Sequence, residues 1–108
     1  MTGVGPPPLR LEVKDAPGRR LVKVGGELDL FTTARLREVL WEDQPGALLV
    51  LDLSEVGFLD AYAVRTLIAA HRRSRARGGQ LVVTGVHDPA ARVLALTRAD
   101  RVLQIRAA

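Results

Sequence analysis

The run "ALLVLDLS", residues 47–54, does most to limit what this chain can become. It is almost continuously apolar, carries three Leu and a Val in its first five residues, and is too short to be a helix that covers a core. Such a run reads as a central strand buried on both faces. A strand of that kind sits among parallel neighbours, and parallel neighbours require helical crossovers. With 108 residues the chain has room for one such layered domain.

The flanking segments supply the parts. "LRLEVKD" (9–15) alternates Leu9, Leu11 and Val13 with charged residues, the period of a half-buried strand. "APGRR" is a turn, and "LVKVGG" (21–26) is a second strand, so 9–25 is expected to form a hairpin. "ELDLF" reads as loop. Residues 32–43 read as a helix with Leu36, Val39 and Leu40 on one stripe and Thr32 or Thr33 as cap. Val64, Leu67, Ile68 and His71 fall at i, i+3, i+4 and i+7, which predicts an amphipathic helix over 61–76 ended by Gly78–Gly79. "QLVVTG" (80–85) is a buried strand. Residues 88–97 form a helix with Asp88 as cap and Pro89 at its first position, and "RVLQIR" (101–106) is a closing strand. The order is β-β-α-β-α-β-α-β: an α/β single domain with a small mixed sheet, a parallel centre and helices packed against it. Residues 1–8, ending in three prolines, read as a flexible leader to a domain at 9–108.

Composition narrows the functional classes. There is no Cys, hence no disulfide or thiol chemistry. The first ten residues lack the apolar core of a secretory signal, and no run approaches a membrane span, so a cytoplasmic protein without membrane insertion is expected. The net charge of +4 is uneven: residues 1–64 carry 7 basic and 10 acidic side chains, residues 65–108 carry 9 and 2. The basic half permits an acidic partner or a polynucleotide. Its densest cluster, "HRRSRARGG", fits a solvated helix end where the dipole favours cations. Nucleic-acid binding is not expected, since no recognition helix or aromatic platform accompanies the cluster.

Catalytic constellations are missing. His71 lies on an apolar stripe and His87 stands alone in a loop, neither with metal-ligand spacing, and Ser54 and Ser74 have no triad partners. The glycines match no phosphate loop. Neither an enzyme, a cofactor nor a metal is expected. Trp41, off the helical stripe, reads as flanking the core.

A binding site is better placed. Parallel strands align their carboxyl ends, where ligands usually bind. Loops 26–31, 54–61 and 85–88 meet there, making Asp29 and Asp60 neighbours, each suited to the positive end of the following helix. Tyr62 points nearly opposite the buried stripe of helix 61–76, with Thr66, Ala69 and Arg73 on its outward face and Arg65 beside it. Tyr and Arg are the residues of protein contact surfaces.

Together, "GELDLFTTARLREVL", "LLVLDLSEVGFLDAYAVRTLIAAHRRSRARGGQLVVTG" and "DPAARVLALTRADRVLQI" resemble the STAS domain of bacterial anti-sigma-factor antagonists, from about residue 9 to 106. "GELD" and "LDLSEVGFLD" are the most specific stretches. The resemblance implies a small sheet with helices against one side. It also implies partner switching: the antagonist captures an anti-sigma factor that is a Ser/Thr kinase, and phosphorylation blocks the capture. The family follows its Asp with two hydroxyl residues, Gly and Leu, the second hydroxyl taking the phosphate. Here Asp60 is kept, Ala61 replaces the first hydroxyl, Tyr62 holds the phospho-acceptor position, and Ala63 and Val64 follow. A kinase site shaped for Ser does not bring a Tyr hydroxyl in line with the transferred phosphate.

The resemblance thus implies a non-catalytic binding domain in sigma-factor regulation, without the usual switch. Its contact face is expected at Asp29, Thr32 and Thr33, at Asp60, Ala61 and Tyr62, and at Arg65, Thr66 and Ala69. Thr66 is a secondary candidate for modification. The partner would be a kinase-like anti-sigma factor or another signalling protein, with STAS–STAS association as a further option. The alternative is a structural STAS subunit of a larger signalling assembly or of a lipid-transport complex.

Overall fold

A computed structural model describes residues 9–107; the leader expected at 1–8 lies outside them. The elements are β1 (Arg10–Ala16), β2 (Arg19–Leu28), α1 (Thr33–Trp41), β3 (Leu48–Leu59), α2 (Ala61–Ala76), β4 (Gln80–Thr84), α3 (Ala90–Leu96), a 3-10 turn (Ala99–Arg101) and β5 (Gln104–Arg106). The strands lie in the order β1-β2-β3-β4-β5. β1 pairs antiparallel with β2, and every later pairing is parallel. Three successive crossovers through α1, α2 and α3 therefore return the chain to the same end of the sheet.

One sheet face carries the core. Val22, Val24, Leu49, Leu51, Leu53, Leu81 and Val83 are buried there, in one cluster with Leu36 and Leu40 of α1, Leu67 of α2 and Leu94 of α3. The opposite face is only half covered: Leu21, Leu48, Val50 and Val82 all remain partly exposed. The run 47–54 is thus buried on one face rather than two, because the helices share a single side.

The longest departure from the sequence reading is in β3. Residues 54–59, read as loop, continue the strand to Leu59, and β2 likewise extends to Leu28 through "EL". The register between β2 and β3 shifts twice, each time with an extra residue on β3: Lys23 faces Asp52 but Gly25 faces Glu55, and Gly26 faces Val56 but Glu27 faces Phe58. The bulges change the buried positions to every third residue, Leu53, Val56 and Leu59, which erases the alternation that marks a strand.

The helix ends also differ. α1 is shorter than 32–43, and neither Thr32 nor Thr33 caps it with its side chain. Asp88 does not cap α3, whose N-cap is Pro89. Residues 101–103 lie outside β5, which is only three residues long. Arg73 is not on the outward face. Its guanidinium donates to the Asp43 carboxylate at 2.8 Å and to the Trp41 carbonyl at 3.1 Å, while Arg77 donates to the Asp43 carbonyl at 3.2 Å. The Arg-rich end of α2 therefore splits: Arg72 and Arg75 face solvent, and Arg73 and Arg77 tie α2 to the segment after α1.

α2 and α3 end in the same way with different residues. After α2, Gly78 takes φ +81° with its amide on the Arg75 carbonyl and the Gly79 amide on that of Ser74. After α3, Arg98 takes the equivalent place at φ +62°, its amide on the Ala95 carbonyl. A side chain in left-handed backbone costs about 1 kcal/mol or more, which glycine avoids. Arg98→Gly is therefore expected to stabilise the fold by roughly 1 kcal/mol, read as a higher urea midpoint at unchanged m-value.

His71 is buried, as its place on the apolar stripe implies. Burial, then the charges of Arg75 and Arg72, hold its pKa below the ordinary 6.5. The unfolded chain therefore takes up the proton first. The stability that neutral His71 permits is present above pH 6.5 and is lost as pH falls below it. His71→Leu should flatten the stability profile in that window, as measured by urea unfolding from pH 7.5 to 5.

Candidate functional site

The carboxyl ends of β2 and β3 meet at Asp60, whose amide donates to the Leu28 carbonyl at 3.0 Å. Its side chain divides its two oxygens. Oδ1 accepts from the Ala63 amide at 2.9 Å and caps α2; Oδ2 accepts from the Leu30 amide at 3.2 Å. One carboxylate thus starts α2 and fixes the loop between β2 and α1.

Asp29 organises that loop from within. Its Oδ1 accepts from the Phe31 amide at 2.8 Å and the Thr32 amide at 2.9 Å. The Thr32 amide, then that of Phe31, keep the carboxyl below its usual pKa, so it is anionic at neutral pH. Thr32 Oγ1 donates to the Glu27 carbonyl at 2.7 Å, and Thr33 Oγ1 donates to the Asp29 carbonyl. Asp29 and Asp60 are therefore joined through the loop as expected, Asp60 serving the Ala63 amide at the start of α2 and Asp29 the amides of Phe31 and Thr32 just before α1. The third loop does not meet the other two: β4 ends opposite Asp52, and a His87 ring nitrogen lies 3.0 Å from the Ser54 carbonyl, six residues along β3 before Asp60.

This frame forces apolar side chains outward. Phe31 is 84% exposed, Leu30 55% and Tyr62 45%. Of the face expected from sequence, Ala61, Tyr62, Arg65 and Ala69 are exposed, and Asp29, Thr32, Asp60 and Thr66 are half-buried. Thr33 is buried, its hydroxyl spent within the loop. The roles therefore divide: Asp29, Thr32, Thr33 and Asp60 build the loop, while Leu30, Phe31 and Tyr62 offer surface.

A groove of about 300 Å³ adjoins this surface, between α1 and α2, walled by Trp41 and Tyr62 with Ala34, Arg37 and Thr66 between them. Trp41 does flank the core, and the guanidinium groups of Arg37 and Arg73 lie 4.9 and 5.4 Å from its ring centroid. The sequence reading missed Ala34, Arg37 and Trp41 as site residues. The available signal was a Trp on an amphipathic helix but off its buried stripe.

Among the described residues, no His, Cys, Asp or Glu group is arranged to hold a metal ion, and no helix is long and apolar enough to cross a membrane.

The model of the STAS domain matches residues 10–108. This chain belongs to the STAS domain family. It is 38% identical to the anti-sigma-F factor antagonist RsfB of Mycobacterium tuberculosis over 84 residues, 75% of this chain and 65% of that protein. It is 26% identical to the anti-sigma-B factor antagonist of Listeria monocytogenes over 101 residues, 91% of this chain and 89% of that one. Among solved structures, an anti-sigma factor antagonist from Mycobacterium paratuberculosis aligns at TM-score 0.76 and 27% identity, covering 90% of this chain and 84% of that chain. SpoIIAA, an anti-sigma factor antagonist in its unphosphorylated form, shares the fold at TM-score 0.76 and 12% identity, covering 92% and 88%. The α/β architecture and element order read from the sequence are those of this family.

Asp60→Ala removes a helix cap and the loop anchor together. It is expected to cost about 1–2 kcal/mol in unfolding free energy. It should also speed hydrogen exchange at the Leu30 and Ala63 amides above that of the surrounding loop, measured by amide exchange NMR.

Proposed function

We propose that this STAS domain acts as an anti-sigma-factor antagonist in the cytoplasm, binding a kinase-like anti-sigma factor through the strand-end surface and performing no catalysis. The observation that carries the reading is the exposure of Phe31, Leu30 and Tyr62 on the loop and helix start that Asp29 and Asp60 hold. Exposing three large apolar side chains on a rigid edge has a solvation cost that a partner's surface removes. The loop is already ordered, so binding does not pay to order it. The relatives that share this domain are named for antagonism of anti-sigma factors.

Tyr62 makes this a contact without the ordinary switch. Its half-exposed ring extends outward from the first turn of α2, and its hydroxyl is several ångströms beyond the place of a serine hydroxyl. The kinase partner is therefore not expected to phosphorylate it, and capture is governed by the abundance or state of the partner. Asp60, Ala61, Tyr62, Arg65, Thr66 and Ala69 then belong to one permanently available face.

The test uses the purified kinase-like anti-sigma factors encoded in the same genome. Wild-type chain should bind one of them in calorimetric titration. Phe31→Asp and Tyr62→Ala should each weaken that binding tenfold or more, with thermal unfolding unchanged within a few degrees. Incubation with the same partner and ATP should leave residue 62 without phosphate by mass spectrometry. Phosphate on Tyr62, or binding unaffected by both substitutions, would overturn the reading.

A further inference from the structure

The groove between α1 and α2 is a second part of the surface with its own chemistry. It is lined along α1 by Ala34, Arg37 and Trp41, and along α2 by Tyr62 and Thr66. It continues over a further cavity of about 190 Å³ that shares Arg37, Trp41, Tyr62 and Thr66 and adds Arg65 and Ala69. Along α1 the lining spans residues 34 to 41, about two helical turns or roughly 11 Å. The aromatic walls stand at its two ends, Tyr62 at the start of α2 and Trp41 at the end of α1. Between them lie Thr33, Ala34, Arg37, Glu38 and Thr66.

The rims are cationic. Arg37 and Arg65 are both exposed, and among the described residues neither forms an ion pair. The Arg37 guanidinium lies over the Trp41 ring at 4.9 Å. The carboxylate lining the groove is that of Glu38.

We infer that this groove receives one helix of the anti-sigma-factor partner, with a bulky apolar side chain seated between Tyr62 and Trp41 and carboxylates meeting Arg37 and Arg65. The inference rests on the proposed function and adds the chemistry of the partner. A groove two helical turns long with an aromatic ring at each end, Tyr62 and Trp41, has the length over which a helix presents its anchors. Cationic rims without ion-pair partners select for acid on the incoming helix. Tyr62 is a necessary wall: a serine at that position would leave this end of the groove open. Its aromatic ring at the phospho-acceptor position therefore has a positive role as part of a binding cleft.

The single tryptophan lines the groove, which provides a direct reporter. The chain is labelled with 5-fluorotryptophan and titrated with the unlabelled kinase-like anti-sigma factor that binds it, observed by fluorine NMR. The Trp41 resonance should shift or broaden in proportion to complex formed. Arg37→Glu and Arg65→Glu should each weaken binding about tenfold, and Tyr62→Ser by a similar factor. Arg92→Glu, an exposed reversal on α3, should change it less than twofold. If a complex forms by size exclusion while the fluorine resonance stays in place and both groove reversals bind as wild type, the groove inference is wrong and the antagonist function stands. If wild-type chain forms no complex with any of these anti-sigma factors, the function itself fails and the occupant assigned here fails with it.

Discussion

The structure turns on the Asp60 carboxylate. One oxygen satisfies the Ala63 amide at the start of α2, and the other holds the Leu30 amide across the strand ends. Amides at a helix start have no intrahelical partner, so some acceptor is required there. By using both oxygens, the chain makes the start of α2 and the loop before α1 one rigid object. Asp29 completes it from the other side through the amides of Phe31 and Thr32. With the polar groups of the loop consumed internally, what remains for the outside is the hydrocarbon of Leu30 and Phe31. The apolar surface is thus a consequence of how the loop satisfies its backbone.

The same logic extends to the helix pair. α1 and α2 are held at their far end by Asp43, whose buried carboxylate receives Arg73. Burying a carboxylate is costly unless it is paired and hydrogen-bonded, and Arg73 supplies both contacts with its guanidinium 5.4 Å from the Trp41 ring centroid. Asp60 anchors one end of the interhelical groove and Asp43 the other. The Tyr62 and Trp41 rings line the groove between these two acids.

Much of this was legible in the sequence, and the illegible parts share a cause. Strict alternation in 9–15 and the stripe Val64, Leu67, His71 gave β1 and α2 almost to the residue, since each follows a single period. The element order followed from an apolar strand that needs crossovers. β3 beyond Leu53 was lost because two bulges changed its period to three, and a pattern reader sees no strand there. The Arg73–Asp43 pair was lost because its members are thirty residues apart and each looks like a surface charge alone. The loop residues Asp29 and Asp60 were found from topology alone, while the division into loop builders and exposed contacts needed the hydrogen bonds. The groove needed the packing of two helices, which no local pattern carries.

The electrostatics of the edge limit what residue 62 can carry. Residue 62 follows Asp60 by two positions, and Asp29 lies on the loop that Asp60 holds. A phosphate here would set about two negative charges beside two carboxylates, both already committed to backbone amides and unable to move away. That crowding of like charge would disfavour a phosphate on this edge. Tyr62 keeps the position neutral and apolar while leaving the hydrogen bonds of Asp60 intact. Its ring lines the groove together with that of Trp41. On the proposed function the surface therefore keeps one electrostatic state, and control of capture passes to whatever sets the supply of the partner.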